Sequence, residues 1–147
     1  MSSIQRKINS DMAVQGWSWI WVFDSAAEHP PFAYSIGFGV SFDHPEVIVA
    51  GLPEETSGNV LGSVQTLLAE GCAYGEGDAS SEILEGLSVQ FRVIPEDLLK
   101  ASLMQAVVFY GERTFSAVRL VWPDRDGNFP GEESAPAWLS DRQALSV

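Results

Sequence analysis

His44, Pro45 and Glu46 set an imidazole and a carboxylate two residues apart. In such a pair the carboxylate can fix the ring tautomer while the imidazole moves a proton near neutral pH. The order His-x-Glu also occurs in zinc deaminases, whose Glu works beside a metal-bound water and whose metal needs a Pro-Cys-x-x-Cys ligand pair. This chain has one cysteine, Cys72, which argues against a deaminase centre. Two readings of the tripeptide remain: a general acid/base pair, His44 and Glu46, or a turn before a strand in which His44 caps backbone groups.

Other spacings carry less chemistry. Asp124, Asp126 and Asn128 fall at the 1, 3, 5 positions of a calcium loop. Glycine comes at the fourth position instead of the sixth, and Ala135 stands where a bidentate Glu belongs, so a turn is the better account and no metal ligands are expected. Neither Gly37-Phe38-Gly39 nor Gly75-Glu76-Gly77 has the flanks of a phosphate-binding loop, and no G-x-S-x-G elbow is present. Cys72 follows a helix C-terminus, where the dipole disfavours a thiolate.

Aromatic residues are the more promising material. Trp17, Trp19 and Trp21 alternate along a strand and share one face, leaving Ser18, Ile20 and Val22 on the other. Three indoles on one face are either core or the wall of a pocket where a flavin or another planar ligand could stack. Tyr34, Tyr110 and Trp122 are candidates to complete that wall.

The elements that must position these residues follow from periodicity. Ile4, Ile8 and Met12, preceded by serine and followed by Gly16, mark a short capped helix. Strands are expected at 17–23, 32–38 and 46–52, joined closely enough for an antiparallel meander. Pro53, Glu54 and Glu55 open a helix whose stripe is Val60, Leu61, Val64, Leu67 and Leu68. Gly58 and Gly62 inside it call for close packing on the sheet. Residues 72–86 form a polar stretch, read as a mobile lid or as hiding a short element. A strand at 87–94, a helix from Pro95 to Tyr110 and a strand at 115–122 complete the order, with 129–147 as an irregular tail packed on the rest. The expected fold is one α+β domain over 1–147, with a mainly antiparallel sheet of about five strands, two main helices and the short N-terminal one.

Length and composition suit a globular chain, with 147 residues, 46% hydrophobic and 19% charged. No apolar run reaches the ~20 residues of a membrane span. The N-terminus lacks the apolar core of a secretory signal, and the lone cysteine leans towards a reducing, cytoplasmic setting. Net charge is −12, and no Lys or Arg occurs between Ile8 and Phe91, where 12 acids fall. Direct binding to nucleic acid or to an anionic membrane is therefore disfavoured, whereas a basic protein partner would be steered in.

The runs Phe32–Phe38, His44–Pro53 and Leu120–Asp124, together with Gly16-Trp17, resemble the domain-of-unknown-function 4262 family of small bacterial proteins, over about Ile8 to Pro130. The family's Y-T-I-G-L block corresponds to Tyr34-Ser35-Ile36-Gly37-Phe38, and its G-H-P-E to Asp43-His44-Pro45-Glu46. A Trp common after the late Phe-Pro is replaced here by Gly131. The resemblance implies no activity; it draws a site around Tyr34, His44, Glu46, Trp122 and Asp124 without assigning roles.

Two functional expectations follow. One is a non-catalytic binding or interaction module, immunity- or antitoxin-like, for a basic partner. The other is a small enzyme or ligand-binding protein with a Trp-walled pocket, His44 and Glu46 as its polar groups and residues 72–86 as its lid.

Overall fold

The computed structural model describes residues 2–145; Met1, Ser146 and Val147, the ends of the expected domain and tail, lie outside the described residues. Chain order is α1 (Ser3–Gln15), β1 (Ser18–Val22), β2 (Phe32–Ile36), α2 (Phe38–Ser41), β3 (Glu46–Ala50), α3 (Glu54–Ala69), β4 (Ala79–Leu84), β5 (Leu87–Val93), α4 (Glu96–Ser102), α5 (Met104–Tyr110), β6 (Ala117–Val121) and α6 (Ala137–Arg142). The α+β expectation holds. Ser2 caps α1 in a reciprocal capping box with Gln5, and Gly16 ends the helix in the left-handed conformation, as serine before and glycine after an apolar stripe dictate.

All six strands form one sheet in the order β1-β2-β3-β6-β5-β4. β1, β2 and β3 make the expected antiparallel meander. β6 then enters beside β3 in parallel, Ile48 against Arg119, so the sheet is mixed, with four antiparallel pairings and this one parallel pairing. The polar stretch 72–86, read as a mobile lid or as hiding a short element, contains the sixth strand, β4. It is an edge strand paired with β5, and its Ser80 and Ile83 face inward while Ser81 and Glu82 face solvent. The expected single helix after Pro95 breaks at Leu103 into α4 and α5. The segment after Phe129, expected to be irregular, contains α6.

Alternation along the strands divides the interior into two cores. Val47, Val49, Phe91, Val118 and Leu120 face α3, together with Trp17, Trp122 and Leu139 of α6. Tyr34, Ile36, Ile48 and Ala117 face α1, α4 and α5. Leu139 is buried in the first core while Leu145 packs against the second, so the chain crosses the end of β6 between them. Gln143 fixes the crossing: its side-chain amide accepts from Trp122 N at 3.1 Å and donates to Trp122 O at 2.8 Å.

The two glycines of α3 differ in purpose. A Cβ on Gly58 would lie 2.7 Å from Trp19 Cζ2, whereas one on Gly62 would meet nothing within 4 Å. Gly58 is thus required by close packing on β1 and Gly62 is not. Gly62→Ala is expected to gain about 1 kcal/mol from helix propensity, raising the Tm by about 3 °C. Gly58→Ala is expected to lose stability, since overpacking costs about 1–3 kcal/mol. Paired thermal unfolding of the two variants checks both signs.

Candidate functional site

Glu46 opens β3 and is wholly buried, a position that an ionised carboxylate can hold only if its oxygens are satisfied. Four donors converge on it. Oε1 accepts from Ser35 Oγ at 2.7 Å and from Phe38 N at 3.2 Å; Oε2 accepts from Gly37 N at 2.8 Å and from the Tyr110 hydroxyl. Burial raises the Glu46 pKa and outweighs the donors, Tyr110 and Ser35 first, which act to lower it,. Ser35 Oγ in turn accepts from Val47 N, and Tyr110 Oη from Gly39 N. The Gly37-Phe38-Gly39 run serves this contact. Gly37 has φ 112°, which aims the first amides of α2 at the carboxylate, and a Cβ at residue 39 would sit 2.6 Å from Tyr110 Oη. The segment that lacked the flanks of a phosphate loop holds the buried Glu46 carboxyl group instead,.

His44 faces the other way. Its Nδ1–H donates to Pro45 O at 2.7 Å, and Nε2 accepts from Tyr74 N–H at 2.9 Å, which selects the neutral ring with the proton on Nδ1. The Tyr74 ring meets the imidazole edge-on and stacks on Phe91 at 4.5 Å. Glu46 shares the α5 side of β3 with Ile48, while Tyr74 belongs to the α3 side. His44 and Glu46, two residues apart, are thereby committed to different partners.

The aromatic candidates also separate. Trp17, Trp19, Trp21 and Trp122 pack on the α3 face, and Trp122 Nε1 donates to Ala50 O at 2.8 Å. Tyr34 and Tyr110 lie on the opposite face. Register explains this: Tyr34 is paired with Ile20 and shares its side of the sheet, away from the Trp17–Trp19–Trp21 row,. Tyr34 Oη accepts from Gln105 N at 2.9 Å, and burial pushes its pKa up to about 12. Asp124 organises the expected turn, accepting from Asn128 N at 2.9 Å and Asp126 N at 3.0 Å; these bonds, Asn128 first, lower its pKa.

Open space lies elsewhere. A cleft of about 880 Å³ runs between Leu52, Leu84, Trp122, Asp124, Asp126 and Trp138. A second, of about 850 Å³, is walled by Trp21, Phe23, Asp24, Glu28, Glu54 and Asp141. The two meet at Gly51, Trp138 and Arg142, where the Arg142 guanidinium stands 4.7 Å over the Trp138 ring. Of the sequence candidates, only Trp21, Trp122 and Asp124 reach these clefts. Phe23, Trp138 and Arg142 were missed because they sit in a turn and in the helix of a segment read as tail. Beside Phe23, Asp24, Glu28 and His29 bring their ligand atoms within 4.8 Å of one another, the one trio among the described residues placed to share a cation.

A pH dependence follows from His44. Burial lowers its pKa below 6.5, more than its two backbone partners raise it. The unfolded chain then takes up a proton before the folded one, so this contribution to stability is full above about pH 6.5 and declines as the pH falls towards the folded value. Denaturant midpoints at pH 7.5 and 5.5 are expected to differ less in His44→Gln than in the parent chain.

Residues 11–136 match the family model described as Domain of unknown function (DUF4262). No curated protein and no solved structure matches the chain. A match over most of the chain, including the Tyr34–Phe38 and His44–Glu46 blocks that build the Glu46 network, settles its kinship: the chain belongs to the DUF4262 family.

Proposed function

We propose that this chain is a non-catalytic binding module, and that the adjoining clefts around Trp138 receive a cationic segment of a protein partner. The observation that carries this reading is the make-up of the joint surface. Asp24, Glu28, Glu54 and Asp141 line one cleft and Asp124 and Asp126 the other, against Arg125, Arg142 and His29. Phe23 and Trp138 stand exposed among them, at 66% and 46%. Aromatic surface ringed by carboxylates suits lysine and arginine side chains, which lay apolar stems on rings and charged heads on acids. Arg142 over Trp138 is an internal instance of that contact. Three of the six acids come from the base-free stretch and three from the later part of the chain, so the surface is assembled by the fold.

In this reading His44 and Glu46 are structural groups. What supports it is that each ring nitrogen and each carboxylate oxygen already has a partner within the chain, leaving neither group disposed to move a proton. A planar ligand would require the Trp17, Trp19 and Trp21 face, which lies against α3.

The test is titration with an arginine-rich peptide. Its affinity is expected to fall steeply with added salt, as steered association does. Trp138→Ala is expected to weaken it by about tenfold or more, the behaviour of an aromatic anchor, and Glu54→Gln with Asp141→Asn to weaken it further. Glu96→Gln, at the start of α4 on the opposite face of the sheet, serves as the control. Binding indifferent to the cleft substitutions, or no binding at low salt, would refute the reading.

A further inference from the structure

On the α5 side of the sheet two arginines stand directly against each other. Arg92 of β5 and Arg119 of β6 are register partners in an antiparallel pair, so their side chains leave the sheet side by side. Like charges at directly opposed positions are destabilising, and the chain has 20 acidic residues against 8 basic ones with which to neutralise them. Arg92, half exposed, reaches Glu76 Oε2 at 3.5 Å. Arg119 forms no ion pair among the described residues. Its Nη2 donates to Gln143 O, and its Nε is buried without a hydrogen-bond partner. Burial lowers its pKa, with no anion present to offset that,.

Arg92 and Arg119 both line a cleft of about 320 Å³, with Gln90, Ser140 and Gln143 as further polar walls and Phe129 and Pro130 on the apolar side. That volume is at the small end of the roughly 300–1,000 Å³ typical of ligand sites. The cleft is separate from the acidic surface around Trp138 and lies where residues 139–145 cross the end of β6.

We propose that this cleft binds a small oxyanion, the phosphate or carboxylate group of a small molecule, between Arg92 and Arg119. Guanidinium forks match the paired oxygens of such groups. An anion there replaces the repulsion between the two cations with two attractions. The Gln90 and Ser140 side chains add neutral polar walls that admit a charged ligand without competing for it.

Nitrogen-15 NMR of the full chain, following the Arg119 Nε–H signal, tests this directly. Inorganic phosphate and malonate are titrated in turn, with sodium chloride at matched ionic strength as reference. A saturable shift with phosphate, malonate or both, absent with chloride, is the expected result, and the effective anion names the ligand's charged group. Arg92→Gln is expected to weaken the binding about tenfold or more, the effect of losing a charge-assisted hydrogen bond. It is the deciding variant because Arg92 is exposed, whereas Arg119 also holds Gln143. Without anion, Arg92→Gln should also raise the Tm by relieving the repulsion. No saturable shift with either anion, or the same midpoint in Arg92→Gln, would overturn the proposal.

Discussion

A carboxylate with no exposure to water and no cation beside it is the constraint around which this fold is arranged. Glu46 draws its four hydrogen bonds from β2, from the first turn of α2 and from the end of α5. Removing such a group from water costs several kcal/mol unless donors replace the solvent, so its environment is demanding. Ser35 must be a hydroxyl that both donates to Glu46 and accepts from Val47. Residue 37 must hold a positive φ, and residue 39 must leave room for the Tyr110 hydroxyl. Through one side chain, segments 64 residues apart are tied to the centre of the sheet.

The surfaces proposed to bind lie away from that centre, around α6 and the residues that follow it. Residues 137–145 run from one core to the other across the end of β6, and the Gln143 amide pairs with Trp122 as a strand would. That crossing creates both surfaces proposed to bind ligands. One side of α6 offers Trp138, Asp141 and Arg142 to the acidic clefts; Ser140 and Gln143 turn to the arginine pair. A rigid interior with adaptable edges is a common division of labour in binding domains.

Local pattern revealed the local structure. The capped α1, the β1–β2–β3 meander and the buried stripe of α3 were legible because each rests on periodicity, caps or turn residues close in sequence. The parallel pairing of β3 with β6 was not, because nothing in Glu46–Ala50 names a partner seventy residues on. β4 could be suspected but not placed, because an edge strand needs little apolar surface and Ser80, Ser81 and Glu82 give no apolar alternation. At the site, His44 and Glu46 were the right residues to notice. Proximity in sequence suggested that they act on each other, yet the strand sends Glu46 to one side of the sheet while the ring before it bonds on the other. Tyr110 and Gly37–Gly39, which complete the Glu46 network, were each remarked on for other reasons, and only the fold brings them together. Gln143 and Arg119 carried no local signal, since the first is a lone amide in a tail and the second one arginine in an apolar strand.

The central claim is that the Glu46 carboxylate, through Tyr110, holds the α5 face to the sheet. A double-mutant cycle on unfolding free energy, with Glu46→Gln, Tyr110→Phe and both together, tests it most directly. Glu46→Gln is expected to cost about 3 kcal/mol or more, as breaking a buried charged network does. The two changes together should cost less than their sum by about 1–3 kcal/mol, the coupling of groups in direct contact. A Glu46→Gln chain as stable as the parent, or strictly additive effects, would contradict the account.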